Sequence, residues 1–160
     1  MESFFFNTEK KQRKAEKSRG FGVEEFGVNV DQELQKLSHS VIGSCIDVHR
    51  ALGPGLLESI YVDLLCHDLD LKGIPHTREA FIDISYKGKM FSTKLRADLI
   101  VDKRIILELK SVKELIPVFE SQIMTYMKLA NIELGLLINF NVPLLKNGIT
   151  RYRLNYGRIK

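Results

Sequence analysis

The chain has 160 residues, of which 44% are hydrophobic and 28% are charged, and its formal net charge at pH 7 is +4. This length allows one domain with a short extension, and the composition supports an apolar core. No stretch approaches the ~20 apolar residues of a membrane span, and the N-terminus lacks the apolar segment of a signal peptide. The two cysteines, Cys45 and Cys66, form neither a disulfide scaffold nor a close metal pair, so we expect a cytoplasmic protein without a membrane partner.

The first 29 residues show no apolar periodicity and contain three glycines, which predicts a mobile basic leader over 1–29 before a single domain over 30–160. A second basic stretch, without any acidic residue, runs from Leu144 to Lys160. Such stretches can contact the phosphates of a nucleic acid, although they can equally be ordinary solvated surfaces. The basic residues of the leader are Lys10, Lys11, Arg13, Lys14, Lys17 and Arg19.

Two helices are predicted at the start of the domain. Asp31 is a suitable N-cap for a helix that ends near Leu52, where Gly53-Pro54-Gly55 turns the chain. A second helix follows to about Lys72, with Gly73 as its C-terminal glycine. The apolar stripe of the first helix is Leu34, Leu37, Val41, Cys45, Val48 and Leu52, and the predicted inward residues of the second are Leu57, Ile60, Tyr61, Leu64, Leu65 and Leu69.

After Pro75 the period of the apolar residues changes from about 3.6 to 2, which indicates strands. We predict three antiparallel strands, then a crossover helix, then one or two further strands, in the overall order α-α-β-β-β-α-β-β. The crossover should place the strand that follows it parallel to one of the earlier strands. The predicted strands are 82–86, 90–101, 105–112, 134–140 and 150–155, and the predicted helix is 117–130.

Charged residues interrupt two of the apolar strands. Asp98 and Glu108 each lie five residues from Lys103, the centre of the predicted connection, so antiparallel pairing places them directly opposite each other. Two carboxylates this close raise each other's pKa and cost stability unless a cation compensates them. Lys110, on the same face as Glu108, could do so as a structural salt bridge. Alternatively, Asp98, Glu108 and a backbone carbonyl bind Mg²⁺ or Mn²⁺, and Lys110 orients a water molecule or stabilises a phosphate.

The same residues resemble a known group of enzymes. Asp98 followed by Glu108-Leu109-Lys110 resembles the D…ExK signature of the PD-(D/E)XK nuclease superfamily, although Ala97 stands where the name has proline. The segment Gly55-Leu56-Leu57-Glu58-Ser59-Ile60-Tyr61 matches the motif of the GxxExxY family within that superfamily. The similarity runs in order over roughly residues 38–154 and also includes residues 48–54, Gln122, Tyr126 and residues 137–143.

The resemblance implies an α/β fold, a PD-(D/E)XK nuclease-like core in which helices flank a central mixed sheet. It implies a Mg²⁺-dependent site at Asp98, Glu108 and Lys110, with Glu58 from the preceding helix as a further ligand. Gln122 and Tyr126 look like the Q-x-x-x-Y pattern of several nuclease branches, and at i and i+4 they share a helix face. The expected reaction is hydrolysis of phosphodiester bonds in a nucleic acid, either DNA or RNA.

Other classes of function have less support. The four histidines lack a spacing that would pair two ligands on a helix, and we expect His49 to pack against its neighbours and Tyr61 to be a core aromatic. The sequence contains no Walker A, G-x-S-x-G or H-E-x-x-H motif. The alternatives are a catalytically inactive nucleic-acid-binding or protein-interaction module, and a structural protein whose ion pair only specifies its core. For Glu58 the alternative is a helix cap.

Overall fold

The computed structural model describes residues 22–154, with side chains from Asp31 onwards. Two helices come first, α1 (Gly22–Leu52) and α2 (Glu58–Leu71), and the strands β1 (His76–Tyr86), β2 (Lys89–Val101) and β3 (Ile105–Lys110) follow. Helix α3 (Pro117–Ala130), strand β4 (Leu134–Asn139), a short 3₁₀ helix (Leu145–Asn147) and strand β5 (Ile149–Arg153) come last. None of the helices within residues 22–154 is long and apolar enough to cross a membrane.

Helix α1 begins at Gly22, so the predicted N-cap at Asp31 is wrong and this residue lies inside the helix. Asp31 has no Glu or Gln three residues later, so it lacks the second half of a capping box, and no proline lies between residues 22 and 31. Of the predicted leader, residues 1–21 lie outside the described residues and residues 22–29 are helical. The chain divides after Leu37 into two compact units, and the features below belong to the unit from Ser38 onwards.

The five strands form one mixed sheet in the order β1-β2-β3-β4-β5. Strands β1, β2 and β3 are antiparallel neighbours, whereas β4 runs parallel to β3 and antiparallel to β5. The predicted element order and the parallel strand after the crossover helix are therefore confirmed. Strands β3 and β4 are buried along almost their whole length because both faces of the sheet are covered at its centre.

Strand β1 is longer than the predicted 82–86 and begins at His76. Glu79 has a left-handed φ of 48°, which interrupts the alternation of side chains on which the prediction relied. Strand β3 ends at Lys110 rather than at Val112, since the segment beyond it is held by side chains of the candidate site.

Helix α3 packs on one face of the sheet, and its bounds confirm the prediction. Pro117 occupies its first turn, where a fixed φ is favourable, and Asn131 ends it in the left-handed conformation. Gly135 in β4 permits the close approach of this helix, because an added Cβ would lie only 2.5 Å from Met127 Sδ. The buried core between helix and sheet consists of Ile82, Ala97, Ile106, Ile123, Met127, Ile132 and Leu137.

The turn between α1 and α2 is built on Gly53 and Gly55, whose φ values of 72° and 101° suit glycine. Not every apolar residue around it is inward as predicted: Leu52, Leu57 and Ile60 are 49%, 72% and 39% exposed. Helix α2 starts only at Glu58, so Leu57 lies outside the helical stripe that buries Tyr61, Val62, Leu65 and Leu69.

Candidate active site

Asp98 and Glu108 meet where β2 and β3 separate. The ladder between these strands pairs Leu99 with Leu107 up to Val101 with Ile105, and this register sets Asp98 opposite Glu108, as the sequence spacing predicts. Beyond Leu99 the side chains take over the hydrogen bonding. The Leu109 N–H donates to Asp98 Oδ2 at 2.7 Å. The carboxylate of Asp98 is thus fixed by the backbone of the opposite strand.

Burial makes both carboxylates hard to ionise. Glu108 is only 1% exposed. Its burial, together with the nearby Asp98, raises the pKa of its carboxyl to about 7. Burial, with a smaller contribution from Glu58, also raises the pKa of Asp98. Glu108 Oε1 is buried and has no hydrogen-bond partner among the described residues, and an unsatisfied buried oxygen is costly. The site therefore lacks a positive charge or a donor at this oxygen.

Lys110 supplies part of the missing charge. Its Nζ lies 3.3 Å from Glu108 Oε2, and both side chains are largely buried, at 11% and 2% exposure. The same ammonium lies 5.3 Å from the centre of the Phe119 ring, which favours a cation over its face. The predicted shared face of Glu108 and Lys110 is confirmed. Lys110 lowers the pKa of Glu108, but less than burial and Asp98 raise it, so this pKa remains at about 7.

Gln122 and Tyr126 approach the same carboxylate from helix α3. Gln122 Nε2 donates to Glu108 Oε2 at 3.4 Å and to the Tyr126 hydroxyl at 3.1 Å. The two residues are thus a connected pair on one helix face, as their spacing predicts. Because Lys110 and Gln122 both bind Oε2, the carboxylate of Glu108 is oriented with Oε1 left open.

Glu58 joins the start of α2 to the end of β3. Its Oε1 accepts a hydrogen bond from the Ser111 N–H at 3.2 Å, and Ser111 Oγ donates to the Leu56 carbonyl at 2.6 Å. Glu58 is also close enough to Asp98 to contribute to the raised pKa of that carboxyl. Sequence reasoning missed Ser111, and a serine next to a strand carries no pattern that could have identified it.

Tyr61 and Asn139 hold backbone segments next to the candidate site. The Tyr61 hydroxyl donates to the Gly53 carbonyl at 2.7 Å and accepts from the Leu56 N–H at 3.2 Å, which fixes the loop before Glu58. Its ring is fully buried and stacks on Phe140 with centroids 4.3 Å apart, so Tyr61 is a core aromatic as expected. Asn139 holds the backbone of Val112 through both its amide oxygen and its amide nitrogen.

His49 contacts the loop that follows β4. Its Nε2 lies 2.9 Å from the Val142 carbonyl oxygen in the loop after β4, and its residue is 7% exposed. The expectation that His49 packs against its neighbours is thus confirmed. It links helix α1 to the loop that follows Asn139.

The donors present suit a hard cation. Asp98 and Glu108 offer carboxylate oxygens, one of them unpartnered and buried, and oxygen ligands of this kind suit Mg²⁺ or Mn²⁺. No group of three His, Cys, Asp or Glu side chains able to hold a metal ion is gathered anywhere in the part of the chain that the structure describes. Two carboxylates are a sufficient protein contribution for Mg²⁺, which commonly keeps several waters.

The chain is similar to known proteins in sequence and in structure. The sequence model of a protein family described as the PD-(D/E)XK nuclease superfamily matches residues 35–152, well over half of the chain. A search of curated proteins finds no match. A solved structure described as "Crystal structure of SSO0001" matches with 26% sequence identity over 61% of this chain and 50% of that chain, at a TM-score of 0.43. This chain thus spans about half the length of that protein.

Proposed function

This chain belongs to the PD-(D/E)XK nuclease superfamily, and we propose that it is a nuclease that hydrolyses phosphodiester bonds of DNA or RNA with the help of Mg²⁺ or Mn²⁺. The observation that carries the proposal is the buried, unpartnered Oε1 of Glu108, a residue that the strand register sets opposite Asp98. The ion pair with Lys110 engages only Oε2 and leaves Oε1 without a partner. A divalent cation would satisfy it and would offset the repulsion between the two carboxylates.

In this proposal Asp98 and Glu108 hold the cation, and Glu58 contributes through a water molecule, since no three such side chains are gathered around one point among the described residues. Such an ion, when bound, supplies Lewis-acid polarisation and neutralises charge on the scissile phosphate. Glu58 keeps its bond to Ser111 through Oε1, which leaves its other oxygen for this role.

The remaining residues act on the substrate and on the carboxylates. Lys110 orients the attacking water and stabilises negative charge that develops on the phosphate in the transition state. Gln122 and Tyr126 hold the Glu108 carboxylate in the orientation that leaves Oε1 open. A water-poor surrounding strengthens these interactions, and Glu108 and Lys110 are both largely buried.

We place the chain, within the superfamily, in the GxxExxY family. The support is structural as well as sequential: Gly55 has the φ of 101° that its turn requires, Glu58 bonds to Ser111, and Tyr61 holds the Gly53–Leu56 loop. The motif thus builds one side of the candidate site. We also propose a single nuclease-like domain over residues 30–160 and a cytoplasmic location, for which the free thiols of Cys45 and Cys66 are the support.

The test is a cleavage assay on single- and double-stranded DNA and RNA, with Mg²⁺, Mn²⁺ and EDTA compared. We expect cleavage that needs a divalent ion, disappears in Glu108→Gln and persists in the control Glu133→Gln, which removes a partly exposed carboxylate outside the site. Thermal denaturation provides a second readout, since a bound ion stabilises the folded state. Absence of cleavage together with absence of stabilisation by either ion would overturn the proposal in favour of a structural ion pair.

A further inference from the structure

Strands β1 and β2 extend as a two-stranded ribbon beyond the rest of the sheet. Strand β2 pairs with β3 only over Leu99–Val101, whereas its pairing with β1 continues to the Tyr86–Lys89 end. Ile82 and Leu95 are the last residues of the ribbon that pack on the core beneath α3. Residues 83–94, called the arm here, are paired only with each other in the sheet.

An irregularity separates the arm from the sheet. Asp83 pairs with Lys94, but the next residue, Ile84, pairs with Phe91, so Ser92 and Thr93 have no partners on β1. Extra residues on one strand of an antiparallel pair bend the ribbon and increase its twist. The outer part of the arm is therefore aimed in a different direction from the strand that leads to Asp98.

The arm has a basic and aromatic surface. The arm has three basic residues, Lys87, Lys89 and Lys94, and one acidic residue, Asp83, which pairs with Lys94 at 2.9 Å. Lys87 and Lys89 at the tip form no ion pair within the described residues, and each lies over an aromatic ring, Tyr86 at 5.4 Å and Phe91 at 5.5 Å. Tyr86 and Phe91 are 62% and 41% exposed. Large exposed aromatics among lysines are the composition of a nucleic-acid-binding surface.

We propose that the arm binds the phosphodiester backbone of the nucleic acid that occupies the Asp98–Glu108 site. This inference rests on the proposed nuclease function, because it takes the bound nucleic acid to be the substrate. A second copy of this chain would bring like charges together at the tip, whereas a polyanion meets Lys87 and Lys89 with complementary charge. The lysines contact phosphates, and Tyr86 and Phe91 pack against sugars and bases.

The position of the arm predicts where on the substrate it binds. Lys89 and Asp98 lie nine residues apart on the same strand. At ~3.3 Å per residue, and with some shortening at the bulge, the tip lies about 25–30 Å from the site. At ~3.4 Å per base pair this corresponds to about eight base pairs from the scissile phosphate.

The test compares the full chain with Lys87→Ala/Lys89→Ala and with the control Lys36→Ala/Lys128→Ala, which removes the same charge from two exposed positions outside the arm. Binding to 30-base-pair DNA and RNA duplexes and to their single strands is measured in EDTA at several salt concentrations. We expect the arm variant to lose at least tenfold in affinity, with the slope of log K against log salt reduced by about two, as two lost phosphate contacts require. The control variant should lose less affinity than the arm variant, and its slope of log K against log salt should be reduced less.

Where cleavage is observed, the arm variant should raise KM and leave kcat unchanged, and its hydroxyl-radical footprint should lose protection about eight base pairs from the cut. Equal losses in the arm variant and the control, or no binding by the unaltered chain, would overturn the inference. Arm-dependent binding without cleavage would overturn the nuclease proposal alone. If the protein cleaves nucleic acid and the arm variant binds it as tightly as the unaltered chain, the proposed role of the arm alone would be overturned.

Discussion

Asp98 accepts a hydrogen bond from the Leu109 N–H at 2.7 Å, so a carboxylate occupies the place where a backbone carbonyl would continue the ladder between β2 and β3. The contact lies at the end of that ladder, where Glu108 and Lys110 contact side chains of α3. It also ties Asp98 to the strand that carries Glu108 and Lys110. A small displacement of β3 would therefore move all three side chains together.

Glu108→Gln should abolish stabilisation by divalent ions while leaving the metal-free protein folded. The change removes a buried charge that repels Asp98, and it keeps a side chain able to bond Lys110 and Gln122. For the unaltered protein, ion at 100 times its Kd should add about 2.7 kcal/mol to the free energy of unfolding. Thermal and urea denaturation with MgCl₂ or EDTA measure both effects. A large loss of stability in EDTA would instead identify Glu108–Lys110 as a structural ion pair.

The metal-free protein should become less stable as the pH rises from about 5 to 8. The pKa of Glu108 is raised from 4.5 to about 7 by burial and by Asp98, so the folded state holds a proton that the unfolded state releases. This contribution to stability is complete below pH 4.5 and is lost as the pH rises through about 7. The contribution of Glu108 is isolated by comparing urea titrations of the unaltered protein and of Glu108→Gln, in EDTA, across this pH range. A pH dependence that is the same in both proteins would rule out Glu108 as its source.

Glu58→Gln should weaken Mg²⁺ binding and lower cleavage by 10- to 100-fold, as changes around a metal typically do. Gln retains an oxygen that can accept the Ser111 N–H, so the junction between α2 and β3 is preserved. A residue that acts only as a first-turn acid would lose about 0.3–1 kcal/mol of stability and leave activity intact. Mg²⁺ titration by calorimetry and initial cleavage rates separate the two roles. Full Mg²⁺ affinity with full activity would assign Glu58 to the junction alone.

Lys110→Met should lower the single-turnover cleavage rate by at least 100-fold. This is the typical effect of removing one positioned group that stabilises negative charge in the transition state. Methionine keeps much of the apolar contact with Phe119 but no longer offsets Glu108. The metal-free protein should therefore be less stable at pH 8 than at pH 5 by a wider margin than the unaltered chain. A control at Lys113, which is exposed on the loop after β3, should leave the rate nearly unchanged. A rate that survives in Lys110→Met would remove Lys110 from the mechanism.

Much of the site follows from local sequence. The side chains of a strand alternate with period 2, and the connection centred on Lys103 sets the register of the two strands, so Asp98 had to face Glu108. The i and i+4 spacing likewise placed Gln122 and Tyr126 on one face of α3. Glycines with left-handed φ values marked the turn before α2. These relationships involve few residues and well-defined geometry, which is why the sequence determines them.

Other features were decided only by the tertiary structure. The bond between Glu58 and Ser111 joins residues 53 positions apart, and it depends on how α2 packs against the end of β3. The open Oε1 of Glu108 depends on Lys110 and Gln122 both reaching Oε2, which no spacing rule predicts. The start of α1 at Gly22 was missed because Gly22 and Gly27 weigh against a helix, although Val23, Phe26 and Val30 continue its apolar stripe at helical spacing. The sequence by itself determined which residues share a strand, a register or a helix face, because those geometries are local. Which atoms are left buried without a partner was decided by packing between distant segments, because burial depends on everything that surrounds an atom.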